Sequence, residues 1–254
     1  MSDSQRPMTV WCCGGGTQSA AIAVSILRGL LPKPDLAIIT DTGRERTATW
    51  EYFDKVLWPA MDSFGLDVVR VKSSDFTLVK LLGAKGPILP GWTTQSGERG
   101  KLSNYCSGTW KRDVIERWLR RDMKVKSCVL WFGMSLEEMR RVRRPHRGWI
   151  QHHYPLIFDL RYNRAAAIEA VTSFGWPTPP RSACWMCPNA GDKEWLDMKE
   201  NWPEDFAAAV QLEREVRDSD RHFYLHSQCV PLDQVIFEKE QATAGGCSTQ
   251  FCFT

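Results

Sequence analysis

A chain of 254 residues with 43% hydrophobic residues can bury a sizeable core, which excludes a disordered protein and fits one globular domain with an appendage. The formal charge of +3 is too small to demand a polyanionic partner, so only local clusters of cations bear on nucleic-acid binding. The opening MSDSQRPM has no apolar signal segment and no run long enough to span a bilayer follows, so the expected location is cytoplasmic, with no membrane partner.

In chain order, Met8–Cys13 reads as a short apolar strand, and Ser19–Leu31 repeats apolar residues at helical spacing. Leu36–Thr40 is a second strand, stopped by Asp41-Thr42-Gly43. Thr49–Phe64 reads as a helix and Leu66–Val71 as a third strand, so the chain opens βαβαβ with parallel strands covered by helices on both faces. Ser74–Ser103 is rich in Gly, Pro, Ser and Thr, and reads as a short helix over Phe76–Leu82 followed by a mobile loop. Trp110–Arg121 is an amphipathic helix and Lys126–Phe132 a strand. Ser135–Val142 is a helix whose Ser135 and Glu138 fit a capping box. Further helices are expected at Arg164–Phe174, Asp192–Asn201 and Pro203–Val216.

Gly14-Gly15-Gly16-Thr17-Gln18-Ser19 joins the first strand to the first helix. Such a turn can aim backbone N–H groups at an anion while the helix N-terminus adds partial positive charge, so these six residues are a candidate phosphate cradle. They lack the Lys of a Walker A loop and the spacing of the dinucleotide fingerprint. Asp41 and Thr42, at the end of the adjacent strand, lie where open parallel sheets bind ligands.

These residues also carry a family resemblance. CCGGGTQS resembles the phosphate loop of the adenine nucleotide alpha-hydrolase (PP-loop) superfamily, roughly Ser-Gly-Gly-x-Asp-Ser, with Gly14 in place of Ser and Gln18 in place of Asp. IITDTGRE, CSGTWKRDVIERWL, WFGMSLEEMRR, YPLIFDL, SACWMCPN and LHSQCVPLD follow in the order shown by its phosphoadenosine phosphosulfate reductase-like and DndC-like branch. The resemblance implies an α/β fold, a parallel sheet sandwiched by helices. It implies a nucleotide-binding domain over 1–160 and a helical, cysteine-bearing C-terminal region over 161–254 packed on it. ATP or a related adenine nucleotide, with Mg2+, is expected over Gly14 to Ser19 with Asp41 and Thr42 near the ribose or adenine. Ser19, Asp41 and Lys111 are the residues expected to serve catalysis.

Nine cysteines in a reducing compartment read as metal ligands or redox groups before disulfides. By spacing alone, Cys184 and Cys187 in CWMCP suit zinc, an iron-sulfur cluster or thiol-disulfide exchange. The resemblance selects a 4Fe-4S cluster on Cys106, Cys184 and Cys187, with Cys252, Cys247, Cys229 or an open site as the fourth position; Cys252 is the expected ligand. Cys12, Cys13 and Cys128 are expected in the core.

Positive charge concentrates in KRDVIERWLRRDMKVK and in MRRVRRPHRGW, the second with five arginines. Arg140, Arg143 and Arg144 could clamp phosphates, and Trp149, with Trp92 a weaker candidate, could stack on a base of tRNA or DNA. His152, His153 and His226 could act as general acids or bases, but are expected to be hydrogen-bonded structural histidines. The expected function is an iron-sulfur-dependent PP-loop enzyme that forms AMP and pyrophosphate while supporting sulfur transfer, by adenylating a nucleic acid. It would need a sulfur donor or electron donor protein, and a homodimer is compatible. Two alternatives remain: a sulfonucleotide reductase that uses a cysteine thiol, and a nucleotide- and cluster-binding regulatory or assembly protein without turnover.

Overall fold

The computed structural model describes residues 6–75, 82–83, 86–87, 89–103 and 106–237. Five parallel strands form the central sheet: β1 (Met8–Cys13), β2 (Leu36–Asp41), β3 (Val68–Lys72), β8 (Cys128–Phe132) and β9 (Ile150–His153), in the order β3-β2-β1-β8-β9. Alternation along the strands sorts the core. Trp11, Cys13, Ala37 and Ile39 face one side with α1 (Thr17–Leu27), α2 (Thr47–Tyr52) and α3 (Trp58–Ser63). Val10, Leu36, Ile38, Leu130 and Phe132 face the other, against Val114, Ile115 and Leu119 of α4 (Asp113–Arg121). The expected three-layer α/β fold is therefore the observed one.

The strand order reverses at β1. Chain continuing from β1 builds outward through β2 and β3, whereas β8 and β9 add on its other side. This is the topological switch point of an open parallel sheet, and the glycine turn leaves the sheet there.

Several elements differ from expectation for physical reasons. The helix expected over Thr49–Phe64 runs from Thr47 to Ser63 but is wound as a π-turn over Phe53–Leu57. The helix expected from Trp110 is preceded by a second π-turn, Gly108–Arg112, which carries Lys111. Leu136–Arg141 is 3-10 rather than α, and the capping box of Ser135 and Glu138 is present at its start. At three residues per turn, Glu138 and Arg141 lie on one face. The strand β9 and the short helix α5 (Pro155–Phe158) carry no periodicity long enough to be read in advance.

The segment expected as a loop contributes two ribbons. One is β4 (Leu82–Gly83) with β5 (Gly86–Pro87); in the other, β6 (Trp92–Thr93) pairs with β7 (Gly100–Lys101) and with β10 (Phe223–Tyr224). Gly91 permits the second ribbon to close, because a Cβ there would stand 2.3 Å from Phe223 Cε2. Apart from Leu82, the expected helix over Phe76–Leu82 lies outside the described residues, as do Cys247 and Cys252.

The stretches 1–160 and 161–254 exchange packing. Ala167 and Val171 of α6 (Arg164–Thr172) pack in the core with α1, while Leu89 and Trp110 join the C-terminal core formed with α7 (Asp192–Asn201) and α8 (Pro203–Ser219). Among the described residues no helix is long and apolar enough to cross a membrane.

The C-terminal core holds a carboxylate with a structural task. Glu213 is 1% exposed, and its two oxygens accept from the N–H groups of Leu225 at 2.7 Å and Leu232 at 2.6 Å. Burial raises its pKa, opposed by those two donors. Glu213→Gln retains one acceptor oxygen for two donors, so it should cost about 1–3 kcal/mol in urea unfolding. An unchanged midpoint would show that the 225–232 segment does not depend on this side chain.

Candidate functional site

The glycine turn is held by its own side chains and by a distant segment. The Gly14 N–H donates to Ser19 Oγ at 2.8 Å, closing the turn onto the first residues of α1, while the Ser182 hydroxyl donates to the Gly14 carbonyl. Gly15 has φ of 75°, and a Cβ there would stand 3.0 Å from Thr49 Cγ2. Gly16 is glycine for a different reason: a Cβ would stand 2.6 Å from Ser182 N. The loop is thus pressed between α2 and the 180–182 segment.

Among the described residues, several buried polar atoms in this loop and in segments linked to it have no hydrogen-bond partner. They include Thr17, Thr40 and Thr49 Oγ1, Glu45 Oε2, Glu194 Oε1, and Nε and Nη2 of both Arg46 and Arg141. Native proteins rarely leave such atoms unpaired, so a cluster of them beside a glycine turn marks a place where a polar ligand belongs. Next to the turn, a cavity is lined by Cys12, Cys13, Gly14, Ile39, Thr40, Glu45, Lys111, Arg112, Ile115 and Phe132. Its walls are the C-terminal ends of β1, β2 and β8 and the entry to α4, with mostly apolar atoms and one buried charge pair.

That pair is Glu45 and Lys111, joined at 2.9 Å with Glu45 3% exposed. Burial would lower the pKa of Lys111, but Glu45 and the nearby Cys184 and Cys106 thiols outweigh it and raise the pKa, so the ammonium stays charged. Glu45 also accepts from the Thr42 hydroxyl at 3.0 Å and lies 3.7 Å from the Cys184 thiol. Asp41 is occupied differently, with Oδ1 accepting the Gly43 N–H at 2.8 Å in a turn that fixes the strand end.

The strand-end motif and the CxxC segment are zipped together by backbone. Glu45 and Cys184 form an antiparallel bridge, Trp185 N–H donates to Arg44 O at 2.9 Å, and Arg46 N–H donates to Ala183 O at 3.1 Å. The CxxC turn itself closes through Cys187 N–H to Cys184 O at 3.1 Å. Burial, then Glu45, raises the Cys184 pKa, with Cys187 and Cys106 adding to it. The Cys106 thiol is pushed up to about 11 by burial and then by Cys187, against the pull of Lys111. Cys106, Cys184 and Cys187 therefore share one electrostatic environment beside Lys111.

Among the described residues, no three His, Cys, Asp or Glu side chains are gathered as ligands of one metal ion. Cys106, Cys184 and Cys187 influence one another's charge without gathering on one point, a donor set that suits a cluster, which takes each thiolate on a separate iron. Cys252, the expected fourth ligand, lies outside the described residues, and Cys229 sits in the left-handed region with φ of 54°. Cys13 and Cys128 are buried as expected, while Cys12 is half-buried at the cavity wall.

The structure revises the reading of the basic and aromatic residues. Trp92 braces the CxxC turn, its Nε1–H donating to Pro188 O at 3.1 Å, and the Lys101 ammonium lies over its ring at 4.9 Å. Trp149 is half-buried, with the Arg120 guanidinium over its ring at 5.4 Å. Arg140, Arg143 and Arg144 are exposed, but Arg143 Nη1 already donates to Arg140 O at 2.7 Å. Within the same run Arg147 meets Glu116 at 2.7 Å and Arg141 meets Glu138, so carboxylates answer part of the crowded charge. His226 meets Asp192 at 3.1 Å, His153 meets Asp159 at 2.7 Å and His152 meets Arg143 O at 3.0 Å, the hydrogen-bonded settings expected of these three.

Sequence reasoning missed Arg46, Glu138, Arg141 and Ser182 as parts of the site. Gln18 Nε2 donates to Glu138 Oε2 at 3.3 Å, which links the loop to the 3-10 turn. The signal was present in the capping box, since Arg141 stands three residues after Glu138.

No family model and no curated protein matches this chain. Among solved structures it is similar to the U34-tRNA thiolase NcsA from Methanococcus maripaludis with its 4Fe-4S cluster, at 13% identity and a TM-score of 0.47. The likeness covers 94% of this chain and 77% of that one.

Proposed function

We propose that this chain is an iron-sulfur-dependent enzyme of the PP-loop type that binds ATP or a related adenine nucleotide and supports sulfur transfer to a nucleic acid. The observation that carries the reading is the junction of Glu45, Lys111 and Cys184. It joins the glycine turn and its cavity on one side to the thiols of Cys106, Cys184 and Cys187 on the other. The residues fit the nucleotide: the turn supplies backbone donors at a helix N-terminus, and the threonine hydroxyls and guanidinium groups around it await acceptors. Mg2+ would accompany the polyphosphate.

In this reading a substrate oxygen attacks the α-phosphorus, the bond to pyrophosphate breaks, and AMP is left on the substrate as the group that sulfur displaces. Gly14 to Ser19 orient the phosphates, Asp41 and Thr42 shape the strand end under the nucleoside, and Lys111 places a fixed positive charge beside the reacting phosphoryl group. Glu45 holds Lys111 in place. Cys106, Cys184 and Cys187 would hold the cluster, which when bound supplies the site of sulfur delivery. Arg140, Arg143 and Arg144 offer a cationic strip to a tRNA or DNA backbone.

Anaerobic purification with iron and acid-labile sulfide analysis tests the cluster. The wild type should carry about four irons per chain, lost in Cys106→Ala, Cys184→Ala and Cys187→Ala. One zinc, or no metal at all, would overturn the cluster. Assay of AMP and pyrophosphate tests the activation step; release of sulfite from a sulfonucleotide instead would identify a reductase.

A further inference from the structure

Two arginines outside the loop signature are held in a way that points to one part of the nucleotide. Arg46 precedes α2 and Arg141 ends the 3-10 turn; both are more than nine-tenths buried, at 7% and 8% exposed. A carboxylate lies at Nη1 of each: Glu194 Oε1 at 3.7 Å from Arg46, and Glu138 Oε1 against Arg141. In both, the opposite edge, Nε and Nη2, is buried with no hydrogen-bond partner among the described residues. That edge presents two parallel N–H groups, the fork that matches a pair of phosphoryl or sulfuryl oxygens.

Both arginines are tied to the glycine turn, by different routes. Arg141 reaches it through Glu138 and Gln18. Arg46 reaches it through its backbone bond to Ala183, beside Ser182, whose hydroxyl holds Gly14. Arg181 stands between them, sharing Glu194 with Arg46 and repelling Arg141. Three guanidinium groups therefore face two carboxylates, Glu138 and Glu194, and the surplus is one positive charge beside a turn that itself favours anions.

We propose that Arg46 and Arg141 form a two-armed oxyanion receptor flanking the glycine turn, which takes the group beyond the α-phosphate of the nucleotide. That group is pyrophosphate in a nucleoside triphosphate and sulfate in a sulfonucleotide; the chemistry of recognition is shared. The inference rests on the nucleotide reading above and adds to it a selection: a nucleotide that ends at the α-phosphate does not use the receptor. Gln18, neutral and bound to Glu138, positions that carboxylate against Arg141 and leaves the fork free.

Calorimetry on the full chain tests this with AMP, ATP, inorganic pyrophosphate, sulfate and adenosine 5′-phosphosulfate as probes. The proteins compared are wild type, Arg46→Gln, Arg141→Gln, the charge-retaining Arg46→Lys and Arg141→Lys, and exposed Arg28→Gln as control. Each Gln variant should weaken ATP and pyrophosphate, or phosphosulfate and sulfate, by about tenfold or more, with AMP changed less than about twofold. The first pattern assigns a triphosphate and the second a sulfonucleotide; both support the receptor. The Lys variants keep the charge opposite each carboxylate but not the fork, so they should fold and recover only part of the affinity. They decide the matter if the Gln variants do not fold. Equal losses for AMP, or no loss for any probe, would overturn the receptor. If pyrophosphate binds in an arginine-dependent way while no nucleotide binds, the receptor stands and the nucleotide reading fails. If wild type binds none of the probes, both fail.

Discussion

Lys111→Met should slow AMP formation sharply and destabilise the fold at once, because Lys111 neutralises a buried carboxylate whose other contacts, the Thr42 hydroxyl and the Cys184 thiol, bring no positive charge. Glu45 is 3% exposed, and one of its oxygens has no hydrogen-bond partner among the described residues. Removing the partner of a buried charge costs about 3–5 kcal/mol, and the 22% exposure of Lys111 reduces this to about 2–3 kcal/mol. Loss of a positive charge aimed at the phosphoryl group should lower turnover by about a hundredfold or more. Urea unfolding and single-turnover AMP release separate the two effects. Glu45→Gln combined with Lys111→Met should recover most of the stability and none of the activity, since the double variant leaves no uncompensated charge. Recovery of activity in the double variant would show that Lys111 acts only by neutralising Glu45.

The parts of this molecule legible in the sequence are those governed by local rules. The short apolar runs Met8–Cys13 and Leu36–Thr40, helical spacing after the glycine turn, and the capping box at Ser135 each depend on neighbours within a few residues, and each is found in the structure. The strand ends that carry Asp41 and Thr42 follow from the same patterns. The arginine fork at Arg46 was not legible, because it depends on Glu194, which approaches from α7. The bracing role of Trp92 was not legible for the same reason. Its partner is the carbonyl of Pro188, and only the tertiary fold brings its indole N–H to the cysteine turn. The basic run was legible only in part. Its crowded arginines suggested an external polyanion; Arg140, Arg143 and Arg144 are exposed, whereas Glu116 and Glu138 meet Arg147 and Arg141, and Arg141 is buried.

Gly16→Ala should damage the glycine turn and the fold together. Gly16 has φ of −113° and ψ of −160°, a conformation alanine adopts without strain, so any effect must come from space alone. The added Cβ would stand 2.6 Å from Ser182 N and 2.7 Å from Ser182 Cβ, and neither is the flexible end of a side chain. Either the 180–182 segment withdraws, which strips the Ser182 hydroxyl from Gly14 O, or the turn is displaced from the helix N-terminus. Both outcomes disorganise the donors around the phosphate site and place Arg181, between Pro180 and Ser182, out of register. Overpacking of this kind costs about 1–3 kcal/mol in stability. Nucleotide affinity should fall by more than that loss implies, at least about tenfold, because a turn that binds through its backbone tolerates little displacement. Gly148→Ala, where an added Cβ meets nothing within 4 Å, serves as the control and should be nearly neutral. Calorimetric titration with ATP beside thermal unfolding reads both quantities. Wild-type affinity in Gly16→Ala would mean that the 180–182 segment moves aside freely, and that the turn keeps its shape through Ser19 alone.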